Sequence, residues 1–194
     1  MIIVLTGIDG AGKTTAGQML AQQLSAAEYP AVFTKNSSGR RSITAWCGRR
    51  KIKPPVRLLD TVETSIRCIN VLISHLRARP GSRVVIMDRY LYCQAALRQA
   101  RGLKSGWFLP FLSKALPTPD IVFYFDVPPD IAYSRIRRRA ADTETLEHLH
   151  AFDEAYRELV EFPSFITIDA SNPAGQLVEA MLQELGVCGL GLPS

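Results

Sequence analysis

The chain has 194 residues, 47% of them hydrophobic and 21% charged, with a formal net charge of +5. That length suits one domain able to bury about 70% of the surface of its unfolded chain. No apolar run approaches the roughly 20 residues that span a bilayer, and Ile2–Leu5 is too short for a secretory core. The four cysteines, Cys47, Cys68, Cys93 and Cys188, form no CxxC pair, which argues against a zinc site and for a reducing, cytoplasmic setting. Basic residues concentrate at 40–53 and 135–139 without interleaved aromatics, so neither a nucleic-acid partner nor a membrane is expected.

Residues 2–6 read as a buried strand and 12–27 as a helix with Met19, Leu20 and Leu24 on one face. Residues 31–34 are a second strand. Residues 36–56 are polar, basic and broken by Gly39, Gly48, Pro54 and Pro55, and read as loop with at most a short helix. From 57 to 79, Leu58, Leu59, Val62, Ile66, Ile69, Ile73 and Leu76 recur at helical spacing and predict a long amphipathic helix. Ile52, Val56 and Val71 suggest a second apolar face on it, and with it a possible homodimer. Residues 84–87 form an apolar strand closed by Asp88. Helices are expected over 90–101 and 105–116, and a strand over 121–125 closed by Asp126. A helix beginning at Pro128 runs into Arg135–Arg139, and another covers 146–160. A fifth strand over 165–168 and a last helix over 174–185 complete the pattern.

Strands without polar alternation, each followed by a helix, predict a five-stranded parallel sheet covered on both faces. In such sheets ligands bind beyond the carboxyl ends of the strands. Gly7–Thr15, Asp88-Arg89 and Asp126 all follow strands and are therefore expected at one edge.

The stretch GIDGAGKTT, Gly7 to Thr15, contains G-x-x-x-x-G-K-[ST] at Gly7, Gly12, Lys13 and Thr14. Backbone N–H groups of such a loop turn inward onto phosphate oxygens, and the following helix N-terminus adds partial positive charge. Lys13 then reaches the β- and γ-phosphates of ATP, and the Thr14 hydroxyl a Mg²⁺ ion. A guanine-reading N-K-x-D is absent, as is the strand-terminal Asp-Glu pair of ATPase motors.

With Asp88-Arg89-Tyr90 after the third strand, this combination resembles the thymidylate kinase family of nucleoside monophosphate kinases. Thr118-Pro-Asp-Ile-Val-Phe-Tyr-Phe-Asp-Val-Pro-Pro-Asp-Ile-Ala132 is similar to that family's fourth strand and following helix. Ile168-Asp-Ala-Ser-Asn-Pro173 is similar to its final strand and adenine-side loop. The resemblance implies one P-loop kinase domain over 1–186, a short arginine-rich lid over about 135–146, and a tail over 187–194. It implies ATP and Mg²⁺ as cofactors and a phosphorylated small molecule, a nucleoside monophosphate such as dTMP, as acceptor. Family members are commonly dimers through long helices.

Carried over residue by residue, the P-loop group is Gly7, Asp9, Gly10, Ala11, Gly12, Lys13, Thr14 and Thr15, with Asn172 on the adenine side. Asp9 matches an aspartate near the acceptor sugar and the metal, although a turn-stabilising role fits it equally well. Arg89 matches the arginine that binds the acceptor phosphate, and Asp88 joins Thr14 at the metal. A local Asp88-Arg89 helix-capping pair is the plainer reading of that dipeptide. The variable P-loop positions carry no base, so the resemblance implies a lid arginine at the transferring phosphoryl group. Arg135, Arg137, Arg138 and Arg139 are the candidates, of which Arg135 and Arg139 share one helical face. Arg67 matches a thymine-reading arginine, or is a solvated helix residue.

The acceptor side departs from the family. Lys35 follows the second strand where Thr-Arg-Glu-Pro-Gly-Gly is usual. Glu63 stands where an aromatic ring stacks on thymine, and Leu97 and Arg98 stand where tyrosine and glutamine are usual. Three further readings stay open: a catalytically idle nucleotide-binding regulator, a kinase for a non-nucleotide phosphorylated molecule, and a basic P-loop ATPase acting on nucleic acid.

Overall fold

The computed structural model describes residues 1–36, 55–78, 83–102, 115–139 and 144–187. Most of the loop expected over 36–56, most of the helix expected over 105–116, the middle of the lid at 140–143 and the tail from 188 lie outside these residues.

Five strands, β1 (Ile2–Thr6), β2 (Ala31–Lys35), β3 (Val84–Asp88), β4 (Ile121–Asp126) and β5 (Ile166–Asp169), form a sheet in the order β2-β3-β1-β4-β5. Every pairing is parallel. All five positions of β1 and of β3 are buried, which is why these runs show no polar alternation. Six helices stand among the described residues: α1 (Lys13–Ala26), α2 (Val56–Ala78), α3 (Leu91–Ala100), α4 (Pro129–Arg139), α5 (Leu146–Arg157) and α6 (Ala174–Val187).

The chain steps outward from β1 to β2, then back through β3 towards β4 and β5. Right-handed crossovers therefore put α1 on one face and α2 to α5 on the other. The contacts agree: α1 packs on α6, β2 and β3, while α2 packs on β3 and α3, α3 on α5, and α5 on α4. At Gly17 an added Cβ would lie 2.6 Å from the Phe33 ring, so α1 sits close on the sheet because that position has no side chain. The helix expected over 146–160 stops at Arg157. The chain turns through Leu159 and Phe162 into a short 3-10 segment, Phe162–Ser164, that begins the approach to β5.

The long helix is amphipathic in an unexpected sense. Its inner side buries Glu63, Thr64, Arg67, Val71 and Ser74. Its apolar stripe, with Leu58, Val62, Ile69, Leu72, Ile73 and Leu76 at 37% to 59% exposure, faces outward. Val71, expected on an outer face, belongs to the core. Ile52 and the side chain of Val56 lie outside the described residues. Periodicity located the stripe correctly, but the stripe turns away from the sheet because the other face carries polar groups to its carboxyl edge.

Register fixes that edge. Leu5 pairs with Asp88 and Thr6 with Tyr124, so the loops after β1, β3 and β4 leave the sheet together.

Candidate active site

A cleft of about 200 Å³ opens at this edge, lined by Asp9, Gly10, Gly12, Lys13, Thr14, Thr15, Asp88, Arg89, Ile136 and Arg139. Seven of these ten positions come from the P-loop and the first turn of α1 or from its neighbour Asp88, which explains their legibility in the sequence.

The P-loop turns on glycines with positive φ, 130° at Gly7, 85° at Gly10 and 91° at Gly12, a region costly for other residues. Gly10 is also a packing requirement, since a Cβ there would lie 2.5 Å from the Ala132 carbonyl oxygen at the start of α4. Ala11 is fully buried beneath the loop. Gly12 is the N-cap of α1 and supplies no side-chain cap, and the first turn carries no acidic residue. The end of this helix is therefore left for an anion. Lys13 Nζ donates to the Gly7 carbonyl at 2.9 Å and the Ile8 carbonyl at 2.6 Å. Burial pulls the Lys13 ammonium below its usual pKa against the opposing pull of Asp88, and Arg139 adds to the lowering.

Thr14 Oγ1 donates to Asp88 Oδ2 at 2.5 Å. Asp88 is 7% exposed and its other oxygen has no hydrogen-bond partner among the described residues. A hydroxyl and a carboxylate with a spare buried oxygen fit a hard divalent cation that keeps most of its water. Among the described residues no cluster of three or more His, Cys, Asp or Glu side chains forms a dedicated metal cage.

Arg89 adopts φ 77°, a left-handed conformation that a non-glycine residue holds only when its surroundings enforce it. Its neighbours do so. The peptide N–H donates to the Leu5 carbonyl at 2.9 Å, and buried Tyr90 donates its hydroxyl to the Pro117 carbonyl. The guanidinium forms an ion pair with Asp9 through Nη2 and donates through Nη1 to Cys93 Sγ at 3.4 Å. Asp9 is thus tied to Arg89, as neither its sugar-side role nor a simple turn role required.

Two of the lid candidates separate. Arg135 donates to the carbonyls of Ala170 at 2.8 Å and Ser171 at 2.9 Å, bracing the loop after β5. Arg139 lines the cleft. Asn172 is exposed in that loop and donates to Asp169 Oδ2 at 3.1 Å. Asp126 closes β4 at the same edge, as expected, and pairs with Arg157 at 2.7 Å.

The other residues expected on the acceptor side, Lys35, Glu63, Arg67, Leu97 and Arg98, are not among those lining the cleft. Arg67 is 3% exposed and donates to the Asn36 carbonyl at 3.3 Å, beyond the end of β2. This buried position removes the reading of Arg67 as a solvated helix residue. Glu63, 1% exposed, lies one turn before it on the inner side of α2. Lys35 is exposed at the end of β2, opposite Asp88 in register. Leu97 is part of the hydrophobic core and Arg98 is half-buried.

Sequence reasoning missed Cys93 and Asn36, both buried, which bond to Arg89 and Arg67 respectively. The signal for Cys93 was its i, i+4 spacing from Arg89 at the start of a helix, which a reading of cysteines for redox alone passes over.

The thymidylate kinase family model matches residues 5–181. The chain is 31% identical over 205 residues to a probable thymidylate kinase of Thermococcus kodakarensis, covering 95% of this chain and 100% of that one. It is 29% identical over 185 residues to a probable thymidylate kinase of Archaeoglobus fulgidus, covering 92% and 91%. It is 30% identical over 186 residues to a thymidylate kinase of Xanthomonas oryzae pv. oryzae, covering 92% and 79%. The P-loop cleft and these matches over nearly the whole chain lead to one conclusion: the chain belongs to the thymidylate kinase family of nucleoside monophosphate kinases.

Proposed function

We propose that this chain moves the γ-phosphoryl group of ATP to dTMP or a closely related nucleoside monophosphate, in the cytoplasm. The observation that carries the reading is the convergence of Lys13, Asp88, Arg89 and Arg139 on one cleft. In-line transfer needs little covalent work from the protein, only placement and neutralisation of charge.

Lys13 leaves the Gly7 and Ile8 carbonyls for the β- and γ-phosphates. Arg89 holds the acceptor phosphate, whose oxygen attacks phosphorus as the bond to the β-phosphate oxygen breaks and ADP departs. Arg139 neutralises charge on the transferring group. Arg135 and Asn172 belong to the adenine side, and Lys35, Glu63, Arg67, Leu97 and Arg98 to the acceptor side. Thr14 and Asp88 would hold Mg²⁺, which when bound supplies charge to the phosphates. The domain so assigned runs over 1–186, with the lid beginning at Arg135. Incubation with Mg·ATP and a panel of nucleoside monophosphates tests this reading, and production of no diphosphate from any of them would end it.

The exposed stripe of α2 is proposed to pair with its equivalent in a second copy. Leu58, Val62, Ile69, Leu72 and Leu76 keep three- and four-residue steps through Ser65, the spacing of a helix seam, and a self-complementary patch generates a two-fold dimer. Leu72→Glu should shift the mass measured by light scattering from twice the chain to the chain itself. A wild-type protein already of single mass rejects the dimer. Among the described residues no helix is long and apolar enough to cross a membrane.

A further inference from the structure

Arg89 is gripped from two sides. Asp9 takes Nη2 and Cys93 Sγ takes Nη1 at 3.4 Å. Cys93 is wholly buried in the first turn of α3, with its thiol free. Charged and titratable groups reach it from every element that packs there: Arg89 before α3, Arg67 on α2, Lys13 at the start of α1 and Tyr156 on α5. The Tyr156 hydroxyl is fully buried with no hydrogen-bond partner of ordinary geometry, and its interactions are with Cys93, Thr6 and Arg89. An independent sign that a polar ligand belongs beside this cluster comes from Arg67. Its Nε is buried and has no hydrogen-bond partner among the described residues, a costly state for a guanidinium unless a ligand completes it.

We propose that Cys93 is a positioning residue of the acceptor-phosphate subsite, holding the Arg89 guanidinium in place and setting how much of its charge is left for the acceptor. The inference rests on the reading that Arg89 receives the acceptor phosphate. The neutral thiol is a weak acceptor. It fixes the orientation of Nη1 while leaving the cation unopposed on that side. The thiolate adds a negative charge in contact with the same nitrogen, beside the carboxylate of Asp9, and so competes with an incoming phosphate dianion.

Titration makes the two forms accessible. Burial pushes the thiol up, but Arg89 and Arg67, the Tyr156 hydroxyl and Lys13 together bring it down to about 7. Raising the pH through 7 therefore converts thiol to thiolate and weakens the acceptor subsite. In kcat/KM the free enzyme's value is the one that appears.

The test uses the full chain with dTMP or the best acceptor from the panel. Cys93→Ala should raise the acceptor KM about tenfold, the scale of a lost bond to a charged group, with ATP KM unchanged. Cys93→Ser should restore it. The ratio of wild-type to Cys93→Ser kcat/KM should fall at least about threefold between roughly pH 6.5 and 8.5, a comparison in which the acceptor's own titration near 6 cancels. If the variants do not fold, the wild-type acceptor KM alone must rise between about pH 7 and 8.5, where the acceptor phosphate is already a dianion. A flat ratio, or a flat wild-type KM in that window, overturns the proposal. Arg89→Ala separates the two ideas. Should it leave the acceptor KM unchanged, the reading of Arg89 fails, whereas a raised KM beside a flat Cys93 profile fails Cys93 alone.

Discussion

The donor and acceptor sides of the cleft are built differently. The donor side is one continuous stretch, Gly7 to Thr15, whose conformation follows from glycines at positive φ and a helix without a side-chain cap. The acceptor side is assembled from the end of β2, the inner side of α2, the turn after β3 and the first turns of α3. A local device tolerates little change, because on the proposed reading its residues serve the same phosphates. A distributed one can exchange single contacts while the scaffold stands, and Glu63 in place of a ring is a change of that kind. On the proposed reading, such a chain keeps its reaction while its acceptor changes.

Five substitutions sharpen or break this contrast. The largest effect belongs to the donor side. Lys13→Ala should lower kcat by about 10³ or more, some 4 kcal/mol of transition-state stabilisation, with melting temperature little changed. A variant that keeps wild-type turnover removes Lys13 from the chemistry. Next comes the lid helix, where Arg139→Ala should cost about 10³ in kcat, at the lower end for a phosphoryl-transfer arginine. Arg135→Ala should instead raise the KM for ATP, because Arg135 braces the carbonyls of Ala170 and Ser171. Equal kcat losses for the two would show that the cleft does not distinguish them.

On the acceptor side, Arg89→Ala should raise the acceptor KM about a hundredfold, since a charge-assisted contact to phosphate is lost, with the KM for ATP unchanged. Matching damage to both substrates would move Arg89 to the donor side. The smallest effect is expected at Glu63. Glu63→Phe should change the ratio of kcat/KM between dTMP and the best competing acceptor about tenfold in favour of dTMP, the scale of one base-stacking contact. An unchanged ratio removes Glu63 from the acceptor site, and efficient wild-type turnover of dTMP would make its carboxylate no barrier to thymine.

The same contrast governs what could be read from the sequence. Strand positions and parallel pairing followed from uninterrupted apolar runs such as Val84–Met87, and the P-loop from its own spacing. The outward turn of the α2 stripe was not legible. Hydrophobic periodicity gives a face but not its direction; here the inward side buries Glu63, Thr64 and Arg67, the last bonded to the Asn36 carbonyl beyond the end of β2. The division between Arg135 and Arg139 was equally hidden. Both lie on one side of α4, and only the position of the Ala170 and Ser171 carbonyls separates them. Asp9 paired with Arg89 across 80 positions of sequence, a contact that no local rule anticipates.

The Gly10–Ala132 contact carries a consequence for how this cleft can evolve. Of the four variable P-loop positions, Ile8 and Ala11 are fully buried, Asp9 is committed to Arg89, and position 10 has no room for even one carbon beyond the backbone. A cationic arm therefore has nowhere to be grafted within the loop. On the proposed reading, charge for the transferring group arrives from across the cleft, and the carbonyl that closes position 10 belongs to the same helix that carries Arg139. Crowding at the loop and the placement of Arg139 are thus linked through one helix, and a side chain forced in at position 10 should shift both.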